Sequence, residues 1–534
     1  MRARSALAIL SAVLMLGATH ALAAEGMGSH SLQASHGLQV EQLAAADGAQ
    51  DPQQKDATKK RSSKGSSKKR ASKRHSSKRK HSSKKSSSKK GKKQKHKSNK
   101  SSKQNSSGGS SKKGHIFGDW GGLRPWLSNH GITLDLSYLS EFAWDVSGGR
   151  ARGGTYAGQE ELKAKFDWDK IANLNGASTH VDFVSRQGRN LSSDYVGDVL
   201  VQSQEIYGAP FIENKWIHLV YLYQEQKLFG GKVTLKAGRL PVMSDFGTLP
   251  TGCDFMSLTI CANRGMDINL GWTVFPMATW GGMAEFKISN PLSFKIGAYE
   301  VNPDLSGPYG FHWSTDDAKG VNIPMELDWK QSIGPQQLPG IYKIGGSIDT
   351  SQYDDWYTAT NGMPIPLTSA PPKTSQRGSF YILAQQMIWK HDYGSGSNSN
   401  SDSDPSLQPG VTLLGGFDYN TTDVSVFKYF AFLGVLDKAP FPSRPDDRAG
   451  FQVAYGRVSP ELTDVQQLQT SLGLPLSNGA PGVETSEWVL EANYDIKLYR
   501  GLHVMPDLQY IIRPSGAETY PNALVAGFQI KADF

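Results

Sequence analysis

The sequence predicts an all-β fold for residues 115–534. The expected form is a transmembrane antiparallel β-barrel, with a short amphipathic helix before it and a disordered basic segment further upstream. Three observations carry that reading. Hydropathy alternates with a period of two in segment after segment. Beyond the first residues, no apolar run reaches the 18 residues that a membrane helix needs. The polar faces of the alternating segments carry charges of both signs, as a watered lumen would.

The alternation is clearest in NALVAGFQIKADF at the C-terminus. Leu524, Ala526, Phe528, Ile530, Ala532 and Phe534 share one face; Ala523, Val525, Gly527, Gln529, Lys531 and Asp533 share the other. In SEWVLEANYDIKLY, Trp488, Leu490, Ala492, Tyr494, Ile496 and Leu498 oppose Glu487, Val489, Glu491, Asn493, Asp495 and Lys497. In LHVMPDLQYIIR, Leu508, Tyr510 and Ile512 oppose Asp507, Gln509 and Arg513. Similar strands are expected at 179–188, 217–228, 232–240, 283–288, 293–300, 341–350, 379–390, 411–418, 427–435 and 450–458, separated by Gly, Pro, Asn and Asp clusters.

A soluble sandwich would turn the apolar faces inward, and a membrane barrel turns them out to lipid. Besides the charges on the polar faces, two features favour lipid. Aromatic residues (Trp216, Tyr221, Tyr223, Trp488, Tyr494 and Tyr510) gather near strand ends, as interface girdles do. The last strand runs directly into Phe534. Ahead of the strands, GDWGGLRPWLSNHGI reads as the helix. Asp119 is placed to cap it, Pro125 fits a first turn, Leu123, Trp126 and Leu127 share a face, and Gly131 ends it. Its expected role is to pack against the barrel end.

Upstream, the chain divides into a secretory signal (1–23), a spacer (24–54) and a Lys/Ser-rich segment (55–113). In the signal, Arg2 and Arg4 precede an apolar stretch from Ala6 to Leu16, and Ala21-Leu22-Ala23 offers a cleavage site. No Cys follows it, so a lipid anchor is not expected. Segment 55–113 holds 25 Lys/Arg, 19 Ser and one acidic residue, Asp56. Its only apolar side chains are Ala57 and Ala71, too few to offset the entropy of ordering, so disorder is expected. All 53 aromatic residues lie in 115–534, where 31 basic residues meet 44 acidic ones for a net charge of −13. The overall charge of +9 therefore belongs to the tail. An exported basic tail meets anionic lipid, lipopolysaccharide phosphate or wall polymers, or serves as a solvated linker. Nucleic acid is not expected as a partner, since the tail has no aromatic residue on which bases could stack.

Cys253 and Cys261 are the only cysteines. In an exported chain their spacing predicts one short disulfide loop, stabilising by roughly 2–3 kcal/mol in the chain-entropy model. Free thiols or a metal pair are the alternatives, but no His or further Cys stands near.

GDWGGLRPWLSNHGI resembles the opening of the carbohydrate-selective porins of Gram-negative outer membranes, the OprB type. Further blocks match in order: GRNLSSDYVGDV (188–199), LYQEQKLFGGKVTLKAGRL (222–240), LPGIYKIGGSIDT (338–350), AYGRVSPEL (454–462), PDLQYIIRPSG (506–516) and PNALVAGFQIKADF (521–534). PDLQYIIRP followed by PNALVAG is the most specific pair, and the matches span nearly all of 115–534. The resemblance implies a 16-strand barrel in the outer membrane that lets sugars such as glucose diffuse into the periplasm through a narrowed pore. The length agrees, since 420 residues leave about 26 per strand and connection, room for ~10-residue spans. An even strand count places both barrel ends, and hence the tail, in the periplasm. The long Lys/Ser tail departs from the family pattern.

Such a pore selects by width, hydrogen-bond partners and charge. Strand parity turns Asp182 and Arg186 into the lumen, with Val181 and Phe183 to lipid. It turns Tyr221, Tyr223 and Glu225 inward, with Val220 and Leu222 to lipid. Lys236 points inward if 232–240 is regular, and Arg239 then does not; a bulge at Gly238 would reverse this. For each candidate the plain alternative is a solvated wall position.

No cofactor is expected, and no enzyme. The pairs Asp316–Asp317, Asp354–Asp355 and Asp446–Asp447 sit in turn-like stretches, and neighbours on an extended chain point apart, whereas glycoside hydrolysis needs carboxyls about 5–10 Å apart across a sugar. No nucleophile elbow, zinc-protease or phosphate-loop motif is present. Asp402 and Asp404 lack the acidic partner of an EF-hand. The alternative function is a barrel used mainly for envelope attachment or adhesion through its tail.

Overall fold

The computed structural model describes residues 114–198, 200–206, 216–261, 263–270, 272–303, 310–311, 313–392 and 408–534. The signal, spacer and Lys/Ser segment expected within 1–113, and Asp402 and Asp404, lie outside the described residues.

Sixteen strands follow one another along the chain. They are β1 Ile132–Ser147, β2 Gly153–Asp167, β3 Ala177–Gly188, β4 Trp216–Leu228, β5 Val233–Leu240, β6 Thr279–Lys287, β7 Leu292–Val301 and β8 Gly320–Ile333, then β9 Leu338–Ala359, β10 Pro372–Lys390, β11 Gly410–Asn420, β12 Phe427–Lys438, β13 Arg448–Val458, β14 Ser486–Tyr499, β15 Leu502–Ile512 and β16 Ala523–Asp533. Each pairs antiparallel with the next. β1 pairs with β16, with Phe142 opposite Phe528, and this closes the ring. Among the described residues five short helices accompany them: α1 Leu123–Asn129, α2 Trp168–Ala172, α3 Leu258–Cys261, α4 Arg264–Leu270 and α5 Pro460–Leu472.

The distribution of burial is inverted relative to a soluble protein. Outward positions carry bare apolar side chains: Leu433 is 59% exposed, Leu508 50% and Phe451 47%. Inward positions carry buried polar ones: Glu141, Gln452 and Gln529 are all 0% exposed. Only a hydrocarbon surround makes that arrangement stable. The connections at the end where β1 starts and β16 ends are mostly short: 168–176, 229–232, 288–291, 334–337, 439–447 and 500–501, with 391–409 the exception. The tightest, at Arg500–Gly501, needs glycine: Gly501 has φ +67°, and a Cβ there would lie 2.6 Å from the Asp533 carbonyl. Longer connections (189–215, 241–278, 302–319 and 459–485) stand at the other end.

Three strands were absent from the expected set. In β2 the adjacent charges Glu160–Glu161 blur the alternation, whereas β1 (Leu134, Leu136, Phe142 against Asp135, Ser137, Glu141) and β8 (Ile323, Met325, Leu327 against Asn322, Glu326, Asp328) do alternate and parity could have found them. The helix was expected, but not its contacts. Its N-cap is Gly122, at φ 94°, without a side-chain cap, and Asp119 contributes its backbone carbonyl, which accepts from Arg124 N at 3.1 Å. Leu123 and Trp126 stay about half exposed instead of packing on the barrel. What fastens this region is the chain end. Arg124 donates to the Phe534 carbonyl, Phe117 stacks on Phe534 at 5.4 Å, and Ile116 N donates to the Asp533 carbonyl at 2.8 Å. Asp354–Asp355 lies within β9, not in a turn. Asp355 is 5% exposed and Asp447 1%, because each carboxylate is taken up locally: Asp355 accepts from Tyr357 N and Thr358 N, and Asp447 pairs with Arg444.

The described parts of the connections 189–206 and 241–278 turn back inside the barrel. Their backbone donors need partners at a depth where water is scarce, and a belt of wall side chains supplies them. Glu141 on β1 accepts from Ile206 N at 3.0 Å, and Glu326 on β8 from Gly247 N at 2.9 Å. Gln385 on β10 accepts from Thr251 Oγ1 at 2.8 Å, and Glu491 on β14 from Met256 N at 2.6 Å. Gln452 on β13 accepts from Thr259 Oγ1 at 2.7 Å, and Gln509 on β15 donates to the Ser203 carbonyl at 2.8 Å. Between these polar ties an apolar core forms inside the ring. Phe246, Phe255, Ile260, Met266 and Trp272 belong to one cluster with Tyr381, Leu383, Leu414 and Met505 of the wall. The Cys253–Cys261 disulfide closes a loop in the inserted segment. Arg448 holds the neighbouring Asp254 at 2.5 Å.

Glu484, just before β14, is 0% exposed and accepts from Gln466 Nε2 at 2.8 Å and Asn478 Nδ2 at 3.0 Å. Burial pushes its carboxyl from 4.5 up to about 7. A raised carboxyl pKa means that the folded protein holds the proton longer than the unfolded chain does. Its stability contribution is therefore full below about 4.5 and falls as pH rises towards about 7, by about 3 kcal/mol at most. Glu484→Gln is expected to flatten the decline in thermal stability between pH 5 and 8, followed by heat-modifiability on gels; an unchanged slope would refute this. Glu491→Leu orphans loop donors at about 1–3 kcal/mol each. It should leave the barrel heat-resistant while making the inserted segment protease-sensitive and single-channel currents larger and noisier.

Candidate functional site

β3, β4 and β5 carry the candidate pore residues on consecutive inward positions. Asp182 stands opposite Tyr221, and Glu225 opposite Lys236, so the antiparallel register gathers them. Tyr221 meets Tyr223 edge-on at 5.7 Å. The His180 ring lies parallel to Tyr223 at 4.6 Å. Lys236 Nζ sits 5.5 Å from the Tyr223 ring centre and 2.5 Å from Asp245 of the inserted segment. Glu225 pairs with Lys227 at 3.2 Å. Arg186 lies further along β3, where Nε donates to Gln159 Oε1 at 2.7 Å and the guanidinium approaches the Phe275 ring at 5.8 Å.

β5 is regular, with no register shift at Gly238 against either neighbour. Lys236 therefore faces in and Arg239 out, where Arg239 lies 5.7 Å from the Trp280 ring. One orientation differs from expectation. Val220 does not face lipid; it is 0% exposed and packs with Val184. The β3–β4 register shifts between Asp182 and Phe183, whose partners are Tyr221 and Leu219, so Val220 is the extra residue of a bulge.

Several site residues were missed. His180 has the same parity as Asp182, so the alternation could have found it. Asp245 could not be found, because it reaches Lys236 only through the fold of the inserted segment. Beyond it a charge ladder lines β7 to β9: Lys295 meets Glu326 at 2.7 Å and Asp328 at 2.8 Å, and Lys343 meets Glu326 at 3.2 Å. Lys295 also donates to the Asp245 carbonyl at 2.9 Å, which joins the two walls through the segment between them. Lys163 on β2 and Lys227 at the rim of β4 keep 51% and 52% of their side chains exposed.

Fixed ammonium and carboxylate groups around aromatic faces bind and orient a polar solute without making or breaking its bonds. Among the described residues, the one grouping with metal-ligand spacing is Glu205, Cys253 and Cys261. Both sulfurs are joined in the disulfide, which leaves a single carboxylate.

Comparison with known proteins agrees with this geometry. The family model for carbohydrate-selective porins of the OprB family matches residues 151–534. Porin B of Pseudomonas aeruginosa is 31% identical over 438 residues, covering 78% of this chain and 91% of that protein. A putative porin, QuiX, of Acinetobacter baylyi is 28% identical over 437 residues, covering 78% and 93%. The high-pH structure of OprB from Pseudomonas putida superimposes with a TM-score of 0.70 at 29% identity, covering 78% of this chain and 97% of that one. An inside-out, closed 16-strand barrel with a narrowed, charged lumen and these relatives together assign the chain to the OprB family of carbohydrate-selective porins.

Proposed function

We propose that the protein passes neutral, glucose-like sugars across the outer membrane by diffusion, and that the Tyr223 station is where the solute is read. The observation that carries this is the juxtaposition of an aromatic stack, His180 on Tyr223, with the ion pair Lys236–Asp245. A sugar presents C–H faces to an aromatic ring and hydroxyls to charged partners, so one station meets both needs. Glu225, Asp182, Tyr221 and Arg186 extend the polar track on either side. Opposite charges held in pairs leave little net field along the track, which favours a neutral solute over an ion of the same size.

The end with short connections faces the periplasm in this reading, as in other outer-membrane barrels. Residues 55–113 then lie within the envelope, where 25 positive charges attract inner-leaflet or lipopolysaccharide phosphates.

The reading is tested by vesicle swelling with the refolded protein. Glucose is expected to enter faster than a disaccharide or a charged solute of similar size; no swelling from a heat-modifiable barrel would overturn it. Tyr223→Ala removes a contact of about 1 kcal/mol, so half-saturation for glucose should rise about fivefold. Deleting 55–113 should leave swelling intact and abolish salt-sensitive binding to anionic vesicles, as measured by co-sedimentation.

A further inference from the structure

A cavity of about 430 Å³ lies at the lip of the barrel, where β2 begins and β3 ends. Gly154, Tyr156, Gly188, Arg189, Asp194 and Tyr195 line it. Strand parity fixes the side on which it opens. Thr155 turns inward, where Oγ1 donates to Gln204 Oε1 of the inserted segment at 3.3 Å, so Gly154 and Tyr156 turn outward. Two glycines make the room. A Cβ on Gly154 would lie 2.2 Å from the outward Trp144 indole. Gly188 has φ +90°, and a Cβ there would lie 2.0 Å from the Tyr156 carbonyl, so glycine lets the chain leave the wall abruptly. Trp144 is 44% exposed and stands at the level of the aromatic girdle, where hydrocarbon gives way to headgroups. The charges gathered there are mostly positive. Arg189 keeps 71% of its side chain exposed and pairs with Asp194 at 2.7 Å. Arg150 Nη2 donates to the Ser193 and Asp194 carbonyls at 2.9 and 3.0 Å, which fixes the turn carrying Asp194. Arg152, two residues before Gly154, is exposed. Asp145, at the tip of β1, is 3% exposed and pairs with Gly153, on the inward parity of Thr155.

We infer that this niche holds the phosphorylated sugar headgroup of an outer-leaflet glycolipid, lipopolysaccharide. Tyr156 and Tyr195 offer aromatic surface to a sugar ring, and the excess guanidinium charge offers a counterion to its phosphate. The acyl chains then run down the apolar wall below. A solute in the lumen does not meet the niche, which opens on the other side of the wall. The inference rests on the reading that the longer connections face out of the cell.

The test uses the full chain. Cys253 and Cys261 are joined, so Arg152→Cys is a single reporter, and its labelling on intact cells by a membrane-impermeant maleimide reads the orientation alone. Protein extracted from outer membranes in mild detergent should carry lipopolysaccharide, quantified per barrel after gel filtration. Arg152→Gln combined with Arg189→Gln should weaken its retention about tenfold. Tyr195→Ala should weaken it as well, and in both variants heat-modifiability and glucose swelling should stay as in the wild type. Lys373→Gln removes a charge from the same end, on β10, and should leave retention unchanged. Equal retention by the arginine variant, equal retention of added phosphatidylglycerol, or displacement by glucose or inorganic phosphate would each overturn the site. An unlabelled Arg152→Cys would overturn the orientation, and the site with it.

Discussion

Every backbone amide at membrane depth must find a partner inside the protein, and this requirement governs the whole structure. The strands meet it by closing on themselves, so that no ladder edge faces lipid. The inserted segments cannot meet it that way, because they are irregular. They meet it through Glu141, Glu326 and Glu491, whose carboxylates accept from loop amides. These residues lie on well-separated strands, so the plug is tied to the wall around its circumference rather than hinged at one side. The narrowing of the lumen and the placing of Asp245 beside Lys236 both follow from those ties.

One of these carboxylates does a second thing. Glu326 is also a negative charge that the wall answers with Lys295 and Lys343, and the segment between the walls carries Asp245 to Lys236. The solute track is thus laid out in pairs of opposite sign. Structural satisfaction of the plug and electrostatic lining of the pore share residues, Glu326 being the clearest case, since it accepts from a loop amide and from two lysines.

Much of this was legible in the sequence, for a definite reason. A barrel wall is read by parity alone, and parity is local. The C-terminal strands, with Gln529, Glu491 and Gln509 inward, followed directly from it. So did the inward direction of Asp182, Tyr223 and Lys236. What parity could not reach was non-local or irregular. β2 was obscured by Glu160 beside Glu161, one facing out and one in, which hides the period. Val220 was misplaced because one extra residue in a bulge shifts the phase before it. Asp245 and the inserted segments were invisible because no period governs them; the segments are held by partners distant in the chain, from 65 residues for Ile206 and Glu141 to 235 for Met256 and Glu491.

The pairing of β1 with β16 joins the first and last elements of the ring. Contacts so distant in sequence form slowly, because the entropy of closing the intervening chain must be met before any of them helps. Until β16 is available to meet β1, the sheet has two raw edges and a face of bare leucine, isoleucine and phenylalanine. In water such a chain would add strands from its neighbours sooner than from itself. Assembly must therefore be delayed until β16 reaches lipid together with β1, and loss of β16 would leave a ribbon rather than a smaller ring.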